Sequence, residues 1–382
     1  MLCSWLPAAG GEQPDFEVRR LSVWLAQGGI DRINARDEFP SRVPWLPVTN
    51  RPRDIGNWPT APSPLNLLTF YGQPAGPLDV TVNLPKGSFL SSWPSGNKSA
   101  NRLRWLGYNL AAAKPGQLPG AVEFPANWFT PGNAENALTL RNFAGRGERF
   151  LSYDFEANWP LPVQLLGGPD TFRLRNTGNQ PLYDVVVVVP LTGDKGVRIG
   201  WLDELPVAPA AEATRTVPLS AALAPGSDEL SKLSSQALAD RLKNAGLKRE
   251  EVDFLLNYFK LAIFDTASTR VTFRLSPEAA NELASVTVEP KPAKTVCVTL
   301  VIAEEMDPQS VFDIQSLVTR LGSSKYQERE AAEKHLLGLR ARALPLLNEA
   351  INSLDPEIAY RAERVLTQLQ EPNEKRARKS VR

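Results

Sequence analysis

The sequence predicts a multidomain chain, mainly β with added helix. Three observations predict it. The chain has 382 residues, more than one ordinary domain holds. Short stretches alternating apolar and polar residues recur from about 16 to 305, the pattern of half-buried strands. All nine tryptophans fall between Trp5 and Trp201, and the last quarter reads as helix. The expected parts are a β-sandwich-type, tryptophan-rich domain over 16–165, a second β module over 166–305 with a helical insertion at 227–264, and a small helical module over 306–371. A composition of 42% hydrophobic and 22% charged residues is that of a globular chain.

The two ends read differently. Residues 1–15, "MLCSWLPAAGGEQPD", place apolar residues before Ala8, Ala9 and Gly10. This is similar to the tail of a secretory signal and predicts export to a periplasm or cell surface. The alternative is an apolar N-terminus on a cytoplasmic protein, since a charged region and a full apolar run are missing. Residues 372–382 form a basic, apolar-poor tail with Lys375, Arg376, Arg378, Lys379 and Arg382, expected to be disordered.

Along the first part, "FEVRRLSVWL" reads as helix or strand, with strand favoured at Leu21–Leu25. Residues 32–64, rich in proline, read as a long ordered loop. "LDVTVNL" puts Leu78, Val80, Val82 and Leu84 on one face. "RLRWLGYNL" is a further strand. "ALTLRNF" and "RFLSYDF" suggest a hairpin turning near Gly145–Gly147. In the second part, "DTFRLRNTGNQPLYDVVVVVPL" reads as strand, turn, strand, with Gly178 and Asn179 in the turn. "GVRIGWL", "ATRTVPLS", "TRVTFRL", "ASVTVEP" and "KTVCVTLVI" add strands, with Val296, Val298, Leu300 and Ile302 on one face and Cys297 a small apolar residue between them. Ser227 caps a helix that Gly246 stops, and "REEVDFLLNYFKLAIF" is a second helix, apolar on more than one side. Later helices are expected at 311–321, 326–340, 343–353 and 356–370, the last begun by Asp355 and Pro356.

The run Val185–Val189 sharpens the middle part. Successive side chains of a strand point to opposite faces, so both faces of this one must be dry. One face belongs to a sandwich core. For the other, the sequence offers the apolar helix Val252–Ile263 as cover.

Two resemblances follow from these residues. "RNTGNQPLYDVVVVVP", with its N-x-G turn before a valine strand, resembles an immunoglobulin-like module of exported bacterial proteins, covering about 166–220 and completed by 268–305. The stretch from Leu321 to Leu366 resembles a HEAT-like helical repeat found at the C-termini of large exported bacterial proteins. The matching positions are Leu321, Gly322 and Ser323, then Arg329, Ala331 and Ala332, then Ala343, Leu344, Pro345 and Leu347, and finally Asp355, Pro356, Glu357, Arg361 and Ala362. Arg340 departs from it, where a helix-ending glycine is common. The resemblance implies a fold and a surface for protein partners, and brings no catalytic residue.

The chemistry the sequence offers is sparse. His335 is the one histidine, on a helix, which argues against serine or cysteine nucleophiles that need an imidazole. It also argues against most transition-metal sites. Two cysteines, Cys3 and Cys297, show neither a disulfide framework nor zinc spacing. "LTGDKGVRIG" lacks the phosphate-loop order and reads as a hairpin turn. No cofactor or metal is expected. Carboxylate pairs remain: Asp154 with Glu156, and Asp203 with Glu204 beside Trp201. Glycoside hydrolysis needs two carboxyls about 5 to 10 Å apart, a spacing that residues i and i+2 of a strand meet by geometry alone.

Trp58, Trp93, Trp159 and Trp201 are the candidate contact residues, and the first three precede prolines. They either plug the core or present rings to a glycan or protein. Lys plus Arg is 43 against 42 Asp plus Glu, so no pull toward nucleic acid is expected, and no apolar run reaches membrane-spanning length. The expected function is a non-enzymatic interaction or structural scaffold of the bacterial cell envelope, binding a protein through the helical module. The alternative is a carbohydrate-binding or glycoside-processing protein using exposed tryptophans and paired carboxylates.

Overall fold

The valine run lies on the strand Leu182–Pro190, and both of its faces are dry. Val185 and Val187 join one core, Val186 and Val188 a second. The second core holds Val252, Leu255, Phe259 and Ile263 of the helix Arg249–Phe264, as the apolar character of both elements requires. The computed structural model describes residues 15–28, 31–34, 64–112, 137–143, 147–166, 172–191, 196–207, 214–264, 268–306, 308–339 and 343–370. Trp58, most of the proline-rich stretch, residues 1–14 and the basic tail lie outside the described residues.

The fold mixes β and α: several sheets, an inserted pair of helical segments and a C-terminal helical region. The largest sheet has nine strands. Its middle strand, Phe16–Gln27, runs parallel to Lys294–Glu304, from Glu17↔Lys294 to Gln27↔Glu304, and antiparallel to Leu65–Gly72 on its other side. Strands from either side of residue 165 therefore share one sheet, and the expected division there is crossed by its ladder. A middle strand must be apolar on both faces, which is why Phe16 and Val18 enter one core while Leu21, Val23 and Leu25 enter the other.

A six-stranded sheet and a three-stranded sheet pack on one side of the large one. Leu78–Asn83 contributes Val80 and Val82 to that core, on the face its alternation predicts. Arg102–Ala111 contributes Leu103 and Trp105, and Arg173–Asn176 contributes Leu174. The helical insertion covers the other side with Leu238, Leu242 and the Arg249–Phe264 helix. Ser227 caps it by accepting from the Leu230 amide at 3.2 Å, and Gly246 turns the chain at φ +98°. Val296, Val298, Leu300 and Ile302 line this same core while half-buried Cys297 faces the core between the sheets.

Two hairpin expectations need correction. Among the described residues the ladder after Thr139–Arg141 holds Leu140↔Glu148 and Arg141↔Gly147. Beyond Arg149 the chain changes sheets, and Phe150–Asn158 pairs with Leu65–Gly72 and Gly87–Trp93 instead. Tyr153, Phe155 and Ala157 gain burial in the core between the sheets there. Likewise Arg173–Asn176 and Leu182–Pro190 lie in different sheets. The N-x-G turn is a corner: Asn176 accepts from the Gly178 amide at 2.9 Å and donates to the Leu205 carbonyl at 3.1 Å. A short helix, Pro277–Leu283, interrupts the expected run of strands; Ser276 caps it and Pro277 opens it.

The C-terminal helices span Pro308–Arg320, Tyr326–Leu339, Leu344–Ala350 and Pro356–Gln370, around their own core of Ile314, Leu321, Leu336, Leu347, Val365 and neighbours. Asp355 accepts from the Glu357 amide at 2.9 Å, the cap its D-P-E sequence predicts. Arg361 is buried between helices, paired with Glu333, with Glu330 at 3.0 Å and with Glu357 at 2.6 Å. No described helix is long and apolar enough to cross a membrane.

Candidate functional site

Three of the four candidate tryptophans are described, and each is half-buried with its ring or its N–H engaged. Trp201 donates from Nε1 to the Leu233 carbonyl at 3.0 Å, within the π-helical turn Lys232–Gln236. A π turn disturbs the regular i to i+4 ladder, and the indole supplies a donor there. The Arg241 guanidinium covers the Trp201 ring at 4.4 Å and reaches Asp203 at 2.7 Å. Trp159 meets the fully buried Trp24 edge to face at 6.4 Å. Trp93 packs on the helix-side core and donates to Glu148 at 3.2 Å. Burial pushes the Glu148 carboxyl up to about 7, partly opposed by that indole hydrogen bond. Nothing in the local sequence marks Glu148, because its burial comes from packing.

Asp154 and Glu156 share a strand face, half-buried, opposite Tyr153 and Phe155. Glu156 is paired with Arg32 at 3.0 Å and lines a cleft of about 530 Å³ with Lys86, Ser88 and Asn158. Asp203 and Glu204 are exposed beside the insertion. The two carboxylate pairs are thus separated, on strands Phe150–Asn158 and Val197–Leu205 toward opposite ends of the large sheet. His335 is exposed on its helix. Among the described residues no group of three or more His, Cys, Asp or Glu side chains is placed to hold a metal ion.

The surface shows a different feature. Among the described residues the large hydrophobics that are exposed are Phe143, Val207, Tyr326, Ile351, Leu354 and Tyr360. The last four belong to the C-terminal helical region. They gather where its loops meet. A methyl at Gly322 would stand 2.7 Å from both Asp355 and Ile358, so the loop before Tyr326 abuts the loop holding Leu354. Arg329 links the same parts, with its guanidinium 5.8 Å from the Tyr326 ring and 3.1 Å from Glu357, one turn before Tyr360. A periodicity scan misses these residues because it assigns apolar side chains to the core. The flanking S-S and D-P turn residues are the signal that they stand outside it.

No protein-family model matches the chain, and no curated protein is similar to it in sequence.

Proposed function

We propose that this protein is a non-catalytic interaction scaffold that docks a protein partner on the loop end of its C-terminal helices. One observation carries the reading: Tyr326, Ile351, Leu354 and Tyr360 are exposed together at one end of a small helical module, and Leu354 is wholly exposed. Clustered exposed aromatic and aliphatic groups are the usual anchors of protein interfaces. In this reading the helices are a HEAT-like module, and the sandwich with its helical insertion is an immunoglobulin-like platform. The resemblance to exported bacterial proteins supports an address in the cell envelope.

A photocrosslinker at Leu354 of the full chain, expressed in its native cell, tests this. The expected result is a protein adduct, absent when the crosslinker replaces exposed Lys334 on the same module. The purified partner then binds the wild type and loses affinity for Leu354→Asp. Equal labelling from both positions, or undiminished binding by the variant, overturns the reading. Cell fractionation with N-terminal sequencing of the mature chain tests the address.

A further inference from the structure

On the strand Phe150–Asn158 the odd-numbered side chains fill the sandwich core, which sends Glu156 and Asn158 to the opposite side. Three strand ends converge there. Arg32 stands across from Asn158, and Ser88 across from Glu156. Gly87 lets them close in, because a methyl on it would lie 2.5 Å from the Glu156 carbonyl oxygen. The resulting cleft of about 530 Å³ falls within the size range of small-molecule sites.

The lining dictates what such a cleft can hold. Its side chains are two cations, Arg32 and Lys86, one carboxylate, Glu156, and the neutral donor-acceptors Ser88 and Asn158. Among the described residues no aromatic side chain lines it, and no aliphatic one larger than proline. Arg32 donates to Glu156 at 3.0 Å, yet their side chains remain 38% and 28% exposed, so both stay within reach of a ligand. Lys86 has no ion partner among the described residues.

Among the described residues an apolar ligand finds no wall here, and a base or an aromatic ring finds nothing to stack on. A phosphate dianion meets the Glu156 carboxylate. A zwitterion would have to open the Arg32–Glu156 pair to reach both charges. A sugar bearing one carboxylate would not need to open it: adjacent hydroxyls could donate to Glu156 and accept from Arg32, with the exposed Lys86 left to meet the carboxylate.

We propose that the cleft between Arg32, Lys86 and Glu156 binds a hydroxyl-rich monoanion of the uronic-acid class. This site is separate from the protein-docking surface, and either can fail alone. A free uronate and the terminal uronate of a polymer share this chemistry.

The full chain is titrated by calorimetry and saturation-transfer NMR with glucuronate, glucose and a disaccharide ending in glucuronate. Glucuronate is expected to bind more tightly than glucose. Lys86→Ala is expected to weaken it about tenfold, equivalent to about 1.4 kcal/mol, with glucose unchanged. Glu156→Gln is expected to weaken both. Tighter binding of the disaccharide identifies a polymer as the source; equal binding identifies the free sugar. Lys86 is exposed, so its variant keeps the fold, which circular dichroism checks. The proposal is overturned if glucuronate shows no binding in the millimolar range, or if Lys86→Ala leaves the preference for it intact.

Discussion

Both carboxylate oxygens of Glu251 accept hydrogen bonds from the guanidinium of Arg19, at 2.8 and 2.6 Å, and the two side chains are 1% and 3% exposed. They lie 232 positions apart, one on the central strand and one in the first turn of the inserted helix. Arg19 also donates to the Gly246 carbonyl at 2.5 Å and pairs with Glu17. Burial alone would lower the pKa of Arg19. The hydrogen bonds and charge of Glu251, then of Glu17, outweigh it and hold the pKa above its ordinary value. The pair therefore locates the insertion on the sheet. Removing one partner leaves a buried charge uncompensated.

Glu251→Leu is accordingly expected to cost about 3–5 kcal/mol, and Arg19→Met with Glu251→Leu together to cost less than the single change. The five described tryptophans, Trp24, Trp93, Trp105, Trp159 and Trp201, lie on or beside the sheets, so their fluorescence in a urea titration follows the β layers and not the C-terminal helices. A double variant less stable than the single one would contradict this account.

Phe259 is fully buried where the helix meets the valine strand's sheet, so Phe259→Ala is expected to cost about 3–5 kcal/mol. Its neighbour Lys260 is exposed, and Lys260→Ala is expected to change stability by no more than about 0.5 kcal/mol. The same fluorescence titration compares them. Equal effects would mean that the helix does not cover the sheet.

Glu148 predicts a pH dependence. Its folded pKa, about 7, lies above that of an unfolded glutamate, about 4.3, so the folded state binds the proton more tightly. The protonated group favours folding. This contribution is complete below about pH 4.3, declines as pH rises through 7, and is then gone. Glu148→Gln is expected to flatten that decline while keeping an oxygen for Trp93. Melting temperatures at pH 5 and pH 8 check it, with the variant gaining on the wild type at the higher pH.

Gly322 stands against Asp355, the cap of the last helix. Gly322→Ala forces that contact apart and is expected to destabilise the helical module by about 1–3 kcal/mol. Far-UV circular dichroism should register an earlier loss of helix while the tryptophan transition stays where it was.

Trp201→Phe keeps a ring beneath Arg241 but removes the donor to Leu233, which is expected to cost about 1 kcal/mol. If Trp201 were instead a sugar platform, the stability would hold and sugar binding would fall.

Periodicity and punctuation in the sequence determined the local elements. Period-2 runs placed Val80 and Val82 on one face, and the five valines demanded two dry faces. Ser227, Gly246, Asp355 and Pro356 marked helix ends that the structure reproduces. These signals are legible because a cap, a turn or an alternating face is decided by residues within a few positions of each other. Tertiary packing decided which strands are neighbours. Phe16–Gln27 lies beside Lys294–Glu304, and Phe150–Asn158 leaves its expected partner for another sheet, because a strand gains most where both its faces and both its edges are satisfied at once. The cleft at Arg32 and Glu156 and the burial of Glu148 follow from those pairings. Each depends on residues far apart in the chain, and the local sequence around any one of them carries no mark of the others.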